Sequence, residues 1–365
     1  MKLDKKLRAA VVGATGMVGQ RFITLLDNHP FFEVTKLAAS ARSAGQTYEA
    51  ALGGRWKMKA AMPSRVRNMV VIDAQNIEEV TKDIDVIFCA VNMPKAEIAA
   101  LEETYAKAET PVISNNSAHR WTPDVPMVIP ELNASHFDVI EAQKKRLGTK
   151  NGFIAVKPNC SIQAYVPALT ALLEYEPYEV VATTYQAISG AGKTFAEWPE
   201  MIDNVIPFIG GEEEKSEQEP LKIWGTLTDG KIEKAASPII TTQCIRVPVT
   251  DGHMAAVFVK FKKKPTKEQI LTAWKNFKGA PQEHELPSAP KQFINYFEED
   301  NRPQAALDRD IEGGMGVSVG RLREDTVYDY KFVGLAHNTL RGAAGGAVLE
   351  AETLVALGYL KAKEQ

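Results

Sequence analysis

The chain has 365 residues, 45% of them hydrophobic, and a formal charge of −3 from 43 basic and 46 acidic side chains. That length suits two domains with full cores, and the slightly acidic balance excludes the basic footprint of a nucleic-acid binder. The three cysteines, Cys89, Cys160 and Cys244, are too few and odd in number for a disulfide framework, so a reducing cytoplasm is expected, and neither a membrane-length apolar window nor an apolar leader within Met1–Lys6 is present.

Leu7–Val12 is a short β-like run. It meets Gly13-Ala14-Thr15-Gly16-Met17-Val18-Gly19, and helical periodicity follows from Gln20 until Asn28-His29-Pro30. Strand, glycine loop and helix in that order suit a dinucleotide, whose pyrophosphate would sit on the helix N-terminus. The spacing is GxxGxxG, not the usual GxGxxG. The next strand, Glu33–Ala39, runs into Ser40-Ala41-Arg42-Ser43-Ala44-Gly45. No carboxylate stands there to take a ribose 2′-hydroxyl. A guanidinium (Arg42) and two hydroxyls (Ser40, Ser43) suit a 2′-phosphate instead, which favours NADP over NAD.

Asp85–Ala90 reads as a buried strand with Cys89 as inert core, Pro94–Lys107 as a helix and Pro111–Ser114 as another strand. This alternation predicts a parallel sheet with crossovers. Asn115–Arg120 is then a polar loop beyond a strand's carboxyl end, where ligands of such sheets bind, and Arg120 is a candidate anion clamp. Phe153–Val156 is a further strand. It leads to Lys157-Pro158-Asn159-Cys160-Ser161 and to a helix expected over Ile162–Leu173. Cys160 then stands at a helix N-terminus, whose dipole and free amides favour thiolate and an adjacent oxyanion. The competing reading is a buried structural cysteine.

From Val180 the pattern changes. Val180–Ala187 reads as a strand, followed by the glycine-rich Ile188–Lys193. Glu212-Glu213-Glu214 is the one strong local charge bias. Thr241–Val249 and Ala255–Phe261 form a β region bent at Thr250–His253, and Lys262-Lys263-Lys264 is its solvated end. Val317–Leu322 and Tyr328–Gly334 complete four β regions of a mixed or antiparallel sheet, and Asn338–Leu360 is helical. Arg246 and His253 are seven apart, which on an unbroken strand would put them on opposite faces. Pro248 and Asp251-Gly252 break the strand, so a bend can bring both into one cleft. His253 would then serve Cys160 as acid and base, and Arg246 would grip a carboxylate.

Taken in order, GATGMVGQRF (Gly13–Phe22), SARSAG (Ser40–Gly45), SNNSAHR (Ser114–Arg120), PNCS (Pro158–Ser161), YQAISGAG (Tyr185–Gly192), GEEEK (Gly211–Lys215), RVPVTDGH (Arg246–His253) and HNTLRGAAGG (His337–Gly346) span nearly the whole chain. The set resembles aspartate-β-semialdehyde dehydrogenases of the archaeal and fungal branch. The resemblance implies an α/β fold: a Rossmann-type NADP-binding domain over 1–157, completed by a C-terminal helix 338–365, and an α+β catalytic and dimerisation domain with a mixed sheet over 158–337. It implies reduction of L-aspartyl-4-phosphate to the semialdehyde through a thioester on Cys160, with Gln186 orienting the intermediate and His253 shuttling the proton. Arg246 and Glu212 would bind the α-carboxylate and amino group, and Arg120, Asn159 and Lys215 the phosphate. Gly13, Thr15, Gly16, Met17, Val18, Ser40, Arg42, Ser43, Ser189, Gly190 and Asn338 would hold NADP. The resemblance further implies a homodimer or homotetramer. The scattered histidines and cysteines offer no metal site, and neither nucleic acid nor membrane is an expected partner. The alternatives are a malonyl-CoA or succinyl-CoA reductase of the same fold, N-acetylglutamyl-phosphate reductase, and a non-catalytic NADP-binding sensor. Asn159 with the Glu212/Lys215 pair favours aspartyl phosphate over the CoA thioester. The Ser40–Gly45 and Gly211–Lys215 stretches speak against N-acetylglutamyl phosphate, and the presence of Cys160, Gln186, Arg246 and His253 speaks against the sensor.

Overall fold

The first six strands are largely buried and apolar, apart from the polar outer positions of the second, and are separated by crossovers, so they need cover on both sides. They are β1 Leu7–Val12, β2 Phe32–Ala39, β3 Val71–Asp73, β4 Val86–Cys89, β5 Val112–Ser114 and β6 Ile154–Val156. They form one parallel sheet in the order β3-β2-β1-β4-β5-β6. The computed structural model describes residue 3 and residues 5–363. Part of the Met1–Lys6 lead-in (residues 1, 2 and 4) and the last two positions of the expected 338–365 helix lie outside the described residues. Side chains alternate along each strand. Ala10, Val12, Ile87 and Cys89 pack toward Ile98, Leu101 and Tyr105 of the Lys95–Lys107 helix. Ala9, Val11, Val86 and Phe88 pack toward Phe22 and Ile23 of the Met17–Leu25 helix, and toward Val348, Leu349 and Leu354 of the Gly345–Ala356 helix. The far end of the chain thus covers one face of the first sheet. Strand order reverses between β1 and β4, and the crevice at their carboxyl ends lies there.

The second sheet joins β7 Pro177–Gln186, β10 Ile239–Arg246, β11 His253–Phe261, β12 Ile294–Phe297, β13 Val317–Glu324 and β14 Tyr330–Ala336, while β8 Thr226–Thr228 and β9 Lys231–Glu233 make a separate hairpin. Its order is β10-β7-β11-β14-β13-β12. The β10–β7 and β12–β13 pairs are parallel and the rest antiparallel. The expected four β regions become six strands, because the bent one divides into β10 and β11 and Ile294–Phe297 adds an edge. Its inner face (Val180, Ala182, Ala255, Val257, Phe332) packs on Tyr165, Val166, Leu169 and Trp274 in a core continuous with the first sheet's. On the outer face Val181, Tyr185, Met254, Phe258 and Val333 are only half-buried.

Two helical expectations are corrected. The stretch after Cys160 is not one helix over Ile162–Leu173. Ser161–Ala164 makes a single 3₁₀ turn, Tyr165 leaves helical space at φ −138°, and Val166–Thr170 is one α turn with Pro167 in its first positions. Pro167 has no amide hydrogen to continue a helix backwards. Packing presses on the same place: a Cβ on Gly334 of β14 would lie 1.8 Å from the carbonyl oxygen of Ala164. The tail likewise does not run as a helix from Asn338. Leu340–Ala344 is a wide turn broken at Ala343 (φ −141°, ψ −109°), and the regular helix starts at Gly345. Among the described residues no helix is long and apolar enough to cross a membrane.

Candidate active site

Cys160 is only partly buried and borders a cavity of about 310 Å³ at the carboxyl edge of the first sheet. The glycine loop contributes Val18 to its wall, the polar loop after β5 contributes Arg120, the Glu212–Ile223 helix contributes Glu212 and Lys215, and the tail contributes Asn338. Asn159 builds the turn that presents the sulfur. Its Oδ1 accepts the amide (2.7 Å) and the hydroxyl (2.6 Å) of Ser161, its own amide donates to Glu219 (2.5 Å), and its Nδ2 donates to both oxygens of Glu212 (3.0 Å each). Behind the turn, a Cβ on Gly342 would stand 2.8 Å from that of Cys160, so the backbone of the tail approaches the nucleophile's turn as only glycine allows.

The expected thiolate at a helix mouth is not what the site holds. One four-residue turn carries little dipole. Burial, followed by the Glu212 carboxylate, pushes the thiol up to about 11, against the pull of Lys157, Arg120 and Arg246.

Arg246 ends β10 and His253 begins β11, and the two strands flank β7, with Arg246 in register with Gln186. The bend between them, turning at Gly252 (φ +101°), crosses the end of β7. His253 is fully buried with Nε2 3.4 Å from the sulfur of Cys160. Its Nδ1 accepts the Ala187 amide at 3.0 Å. Burial first, then the Arg246 charge, push the ring down to about 3, so it is neutral near pH 7. With Nδ1 occupied as an acceptor, the ring's single proton resides on Nε2 and points at sulfur. The carbonyl of the same Ala187 takes Nη1 of Arg246 at 2.7 Å. One residue after β7 therefore holds both side chains. Gly190 forms the wall in front of them: a Cβ there would be 3.0 Å from Nη1 of Arg246 and 3.1 Å from Cε1 and Nε2 of His253. Gln186 is buried, with its amide turned to the Thr184 hydroxyl at 3.2 Å; like Arg246 and His253 it stands behind the residues that line the cavity.

Glu212 is ionised. Burial opposes the charge, but Lys215 at 2.8 Å and the Asn159 amide outweigh it and hold the carboxyl below its usual range. Arg120 donates to Glu219 at 2.8 Å and through Nε to the carbonyl of Lys157 at 3.0 Å. Glu219, wholly buried, thus ties Arg120 to the Asn159 amide, and Lys222 below it donates to the carbonyls of Arg120 (2.8 Å), Thr122 and Val125 (2.9 Å each). Neither Glu219 nor Lys222 was expected at the site. Their signal lay in the helical spacing of Glu212, Lys215, Glu219 and Lys222, a buried face built from charges where a search for apolar periodicity sees nothing.

The glycine loop fits a dinucleotide. Gly13 has φ +86° and a Cβ there would lie 2.3 Å from the Ala90 carbonyl, while a Cβ on Gly19 would lie 2.2 Å from that of Gly13. Gly16 starts the Met17–Leu25 helix without a side-chain cap, and the first turn carries no acid. The helix N-terminus is therefore left to an anion. The Thr15 carbonyl takes Nε2 of Gln20 at 3.1 Å, and Met17 opens the helix. Ser40 and Arg42 are exposed just past β2, whereas Ser43 is buried with its amide on the Ser40 carbonyl at 2.8 Å. Asn338 donates to the Ser189 hydroxyl (2.8 Å) and accepts the Gly252 amide (2.8 Å), joining the tail to the bend and to the loop after β7. Among the described residues no group of three or more potential metal ligands occurs.

Two family models match the chain: "Semialdehyde dehydrogenase, NAD binding domain" over residues 8–140 and "Semialdehyde dehydrogenase, dimerisation domain" over 169–341. The chain is 43% identical to the aspartate-semialdehyde dehydrogenase of Methanothermobacter thermautotrophicus, with 95% of this chain and 99% of that protein aligned. It is 42% identical to that of Aspergillus fumigatus, with 97% and 99% aligned. The crystal structure of the Candida albicans aspartate-semialdehyde dehydrogenase with NADP superposes with a TM-score of 0.87 at 36% identity, over 98% of this chain and 100% of that one. A cysteine–imidazole pair beside a glycine loop, in two domains matched along almost their full length, leads to one conclusion: the chain belongs to the aspartate-semialdehyde dehydrogenase family.

Proposed function

We propose that this chain catalyses the reductive dephosphorylation of L-aspartyl-4-phosphate to L-aspartate-4-semialdehyde, in lysine, threonine and methionine biosynthesis, with NADPH as reductant. The observation that carries the proposal is the sulfur of Cys160 placed 3.4 Å from Nε2 of a buried His253, in a cavity that also reaches Val18 of the glycine loop.

Cys160 attacks the acyl carbon: the C–S bond forms, the bond from that carbon to the bridging oxygen breaks, and the thiol proton leaves with the inorganic phosphate. The thioester keeps its carbonyl reactive and the thiolate leaves well. Gly13, Thr15, Gly16, Met17 and Val18, with Ser40 and Arg42 at the 2′-phosphate, would hold NADPH, which would supply the hydride. The C–S bond then breaks, the aldehyde departs with the hydride on its carbon, and a proton from solvent restores the thiol. Through both halves His253 keeps its Nε2 proton between sulfur and the substrate oxygen, steadying whichever carries the charge. Glu212, ionised and reached through Asn159, receives the substrate's ammonium, and Lys215 and Arg120 meet the phosphate. Among the described residues only Nη1 of Arg246 is engaged, on Ala187, which leaves Nε and Nη2 for the α-carboxylate. Gln186 acts from behind, by fixing the end of β7 against Arg246. Ser189 and Asn338 shape the nicotinamide side of the cavity, and Gly190 keeps its wall thin.

We assign residues 1–157 with the C-terminal helix to the cofactor domain and 158–337 to the catalytic domain. The half-buried apolar outer face of the second sheet suits assembly of a homodimer or homotetramer, and the three free thiols suit the cytoplasm. The test offers aspartyl phosphate, malonyl-CoA and N-acetylglutamyl phosphate in turn and follows NADPH consumption. Turnover confined to aspartyl phosphate is expected. Equal or faster turnover of the CoA thioester would replace this assignment.

A further inference from the structure

Three groups of the tail recur at intervals of four: Gly342 in the wide turn, at the cavity wall, and Gly346 and Glu350 one turn apart on the Gly345–Ala356 helix. The Gly342 position receives Cys160, and a Cβ on Gly346 would lie 2.6 Å from Cε of Lys157. The cysteine and the lysine thus each fill a gap left by a glycine of the tail, and Glu350 follows one helical turn after the second. Lys157 is 2% exposed, and among the described residues its ammonium has one hydrogen bond, a long one of 3.4 Å to the carbonyl of Pro158. Glu350 is wholly buried, and neither carboxyl oxygen has a partner among the described residues. An amine and a carboxyl left this poorly satisfied in a core are destabilising, and the mechanism above uses neither.

Their electrostatics converge on sulfur. Burial lowers the Lys157 ammonium to about 7. Cys160 is the foremost group opposing that fall, Glu350 also opposes it, and Arg120 and Arg341 add to it. Seen from Cys160, with Glu212, Arg120, Arg246 and His253 around it, Lys157 is the foremost group favouring the thiolate. Such coupling is reciprocal: whatever a thiolate does to hold the ammonium, the ammonium does to hold the thiolate.

We propose that Lys157 is a positioning residue for the nucleophile: its ammonium, seated behind sulfur over Gly346 and supported by Glu350, governs how much of Cys160 is thiolate near neutral pH. This rests on Cys160 being the nucleophile, as proposed above. The test is the pH dependence of Cys160 alkylation by iodoacetamide in the full chain, read by mass spectrometry, with buried Cys89 and Cys244 as internal controls. In Lys157→Met the alkylation rate of Cys160 at about pH 6–7 is expected to fall roughly ten-fold, and to converge on wild type as the pH rises past the range where the ammonium loses its proton. Should that variant fail to fold, Lys157→Met combined with Glu350→Gln leaves no lone charge in the core and gives the same readout. A rate that coincides with wild type at about pH 6–7 in whichever variant folds overturns the proposal. A purely structural lysine would change stability or turnover without moving that rate. Wild-type turnover of aspartyl phosphate is measured alongside. A slowed rate without turnover supports Lys157 and removes the assigned substrate, and turnover with an unchanged rate removes Lys157 alone.

Discussion

Gly190 offers the sharpest probe of the site, because replacing its hydrogen with a methyl touches little except Arg246 and His253. Its φ is not in the left-handed region, so Gly190→Ala leaves the backbone at ease. The new Cβ would meet Cε1 and Nε2 of His253 at 3.1 Å, short of ordinary contact by about 0.4 Å. His253 cannot slide freely, since Ala187 grips Nδ1 from the other side, so the strain falls on the Nε2–sulfur contact. A misplacement of about 1 Å costs on the order of 100-fold in rate, so about 0.4 Å corresponds to roughly a six-fold loss. Steady-state kinetics with aspartyl phosphate, with NADPH varied, are expected to show kcat lower by about that factor and the KM for NADPH little changed. Two results would refute the reasoning. An unchanged kcat would mean that the wall is soft. A rise in the KM for NADPH with kcat intact would mean that Gly190 chiefly makes room for the nicotinamide.

Cys160→Ser is expected to abolish turnover while fluorescence titration shows NADPH binding close to wild type; a matching loss of affinity would contradict that separation of roles. Arg42→Ala should weaken NADP far more than NAD, and equal losses would remove Arg42 from the 2′-phosphate site. For pH, the folded chain keeps His253 neutral down to about 3, whereas the unfolded chain takes up that proton near about 6.5. The unfolded state binds more protons in that window, so stability is full above it and declines as pH falls from about 6.5 toward about 3. Urea midpoints should therefore drop on mild acidification, with a shallower slope in His253→Gln; parallel slopes would show that His253 does not contribute.

Much of the site was legible because its motifs are local. The glycine loop, the polar Asn115–Arg120 loop and the Arg246–His253 bend each announce themselves within ten residues, through glycine, proline and alternation. What escaped depends on contacts distant in sequence. Glu219 meets Arg120 across 99 positions, and Lys157 is framed by Gly346. Helical spacing predicted a helix after Cys160, yet Pro167 and the close approach of Gly334 broke it. The dipole argument for a ready thiolate fell with that helix. Gln186 could be placed on the inner face of β7 by simple alternation, but nothing nearby shows that its amide turns to Thr184.

The wall that Gly342 builds under the nucleophile, and the helix that seals the first sheet, both come from beyond residue 340. During synthesis a ribosome releases the glycine loop early and the cysteine midway, yet the pocket between them stays unfinished until the tail emerges and threads back. A nascent chain interrupted before residue 340 would carry Cys160 and His253 without the Gly342 backbone beneath the sulfur and without the Gly345–Ala356 helix over the first sheet, so the site closes later than its side chains are made.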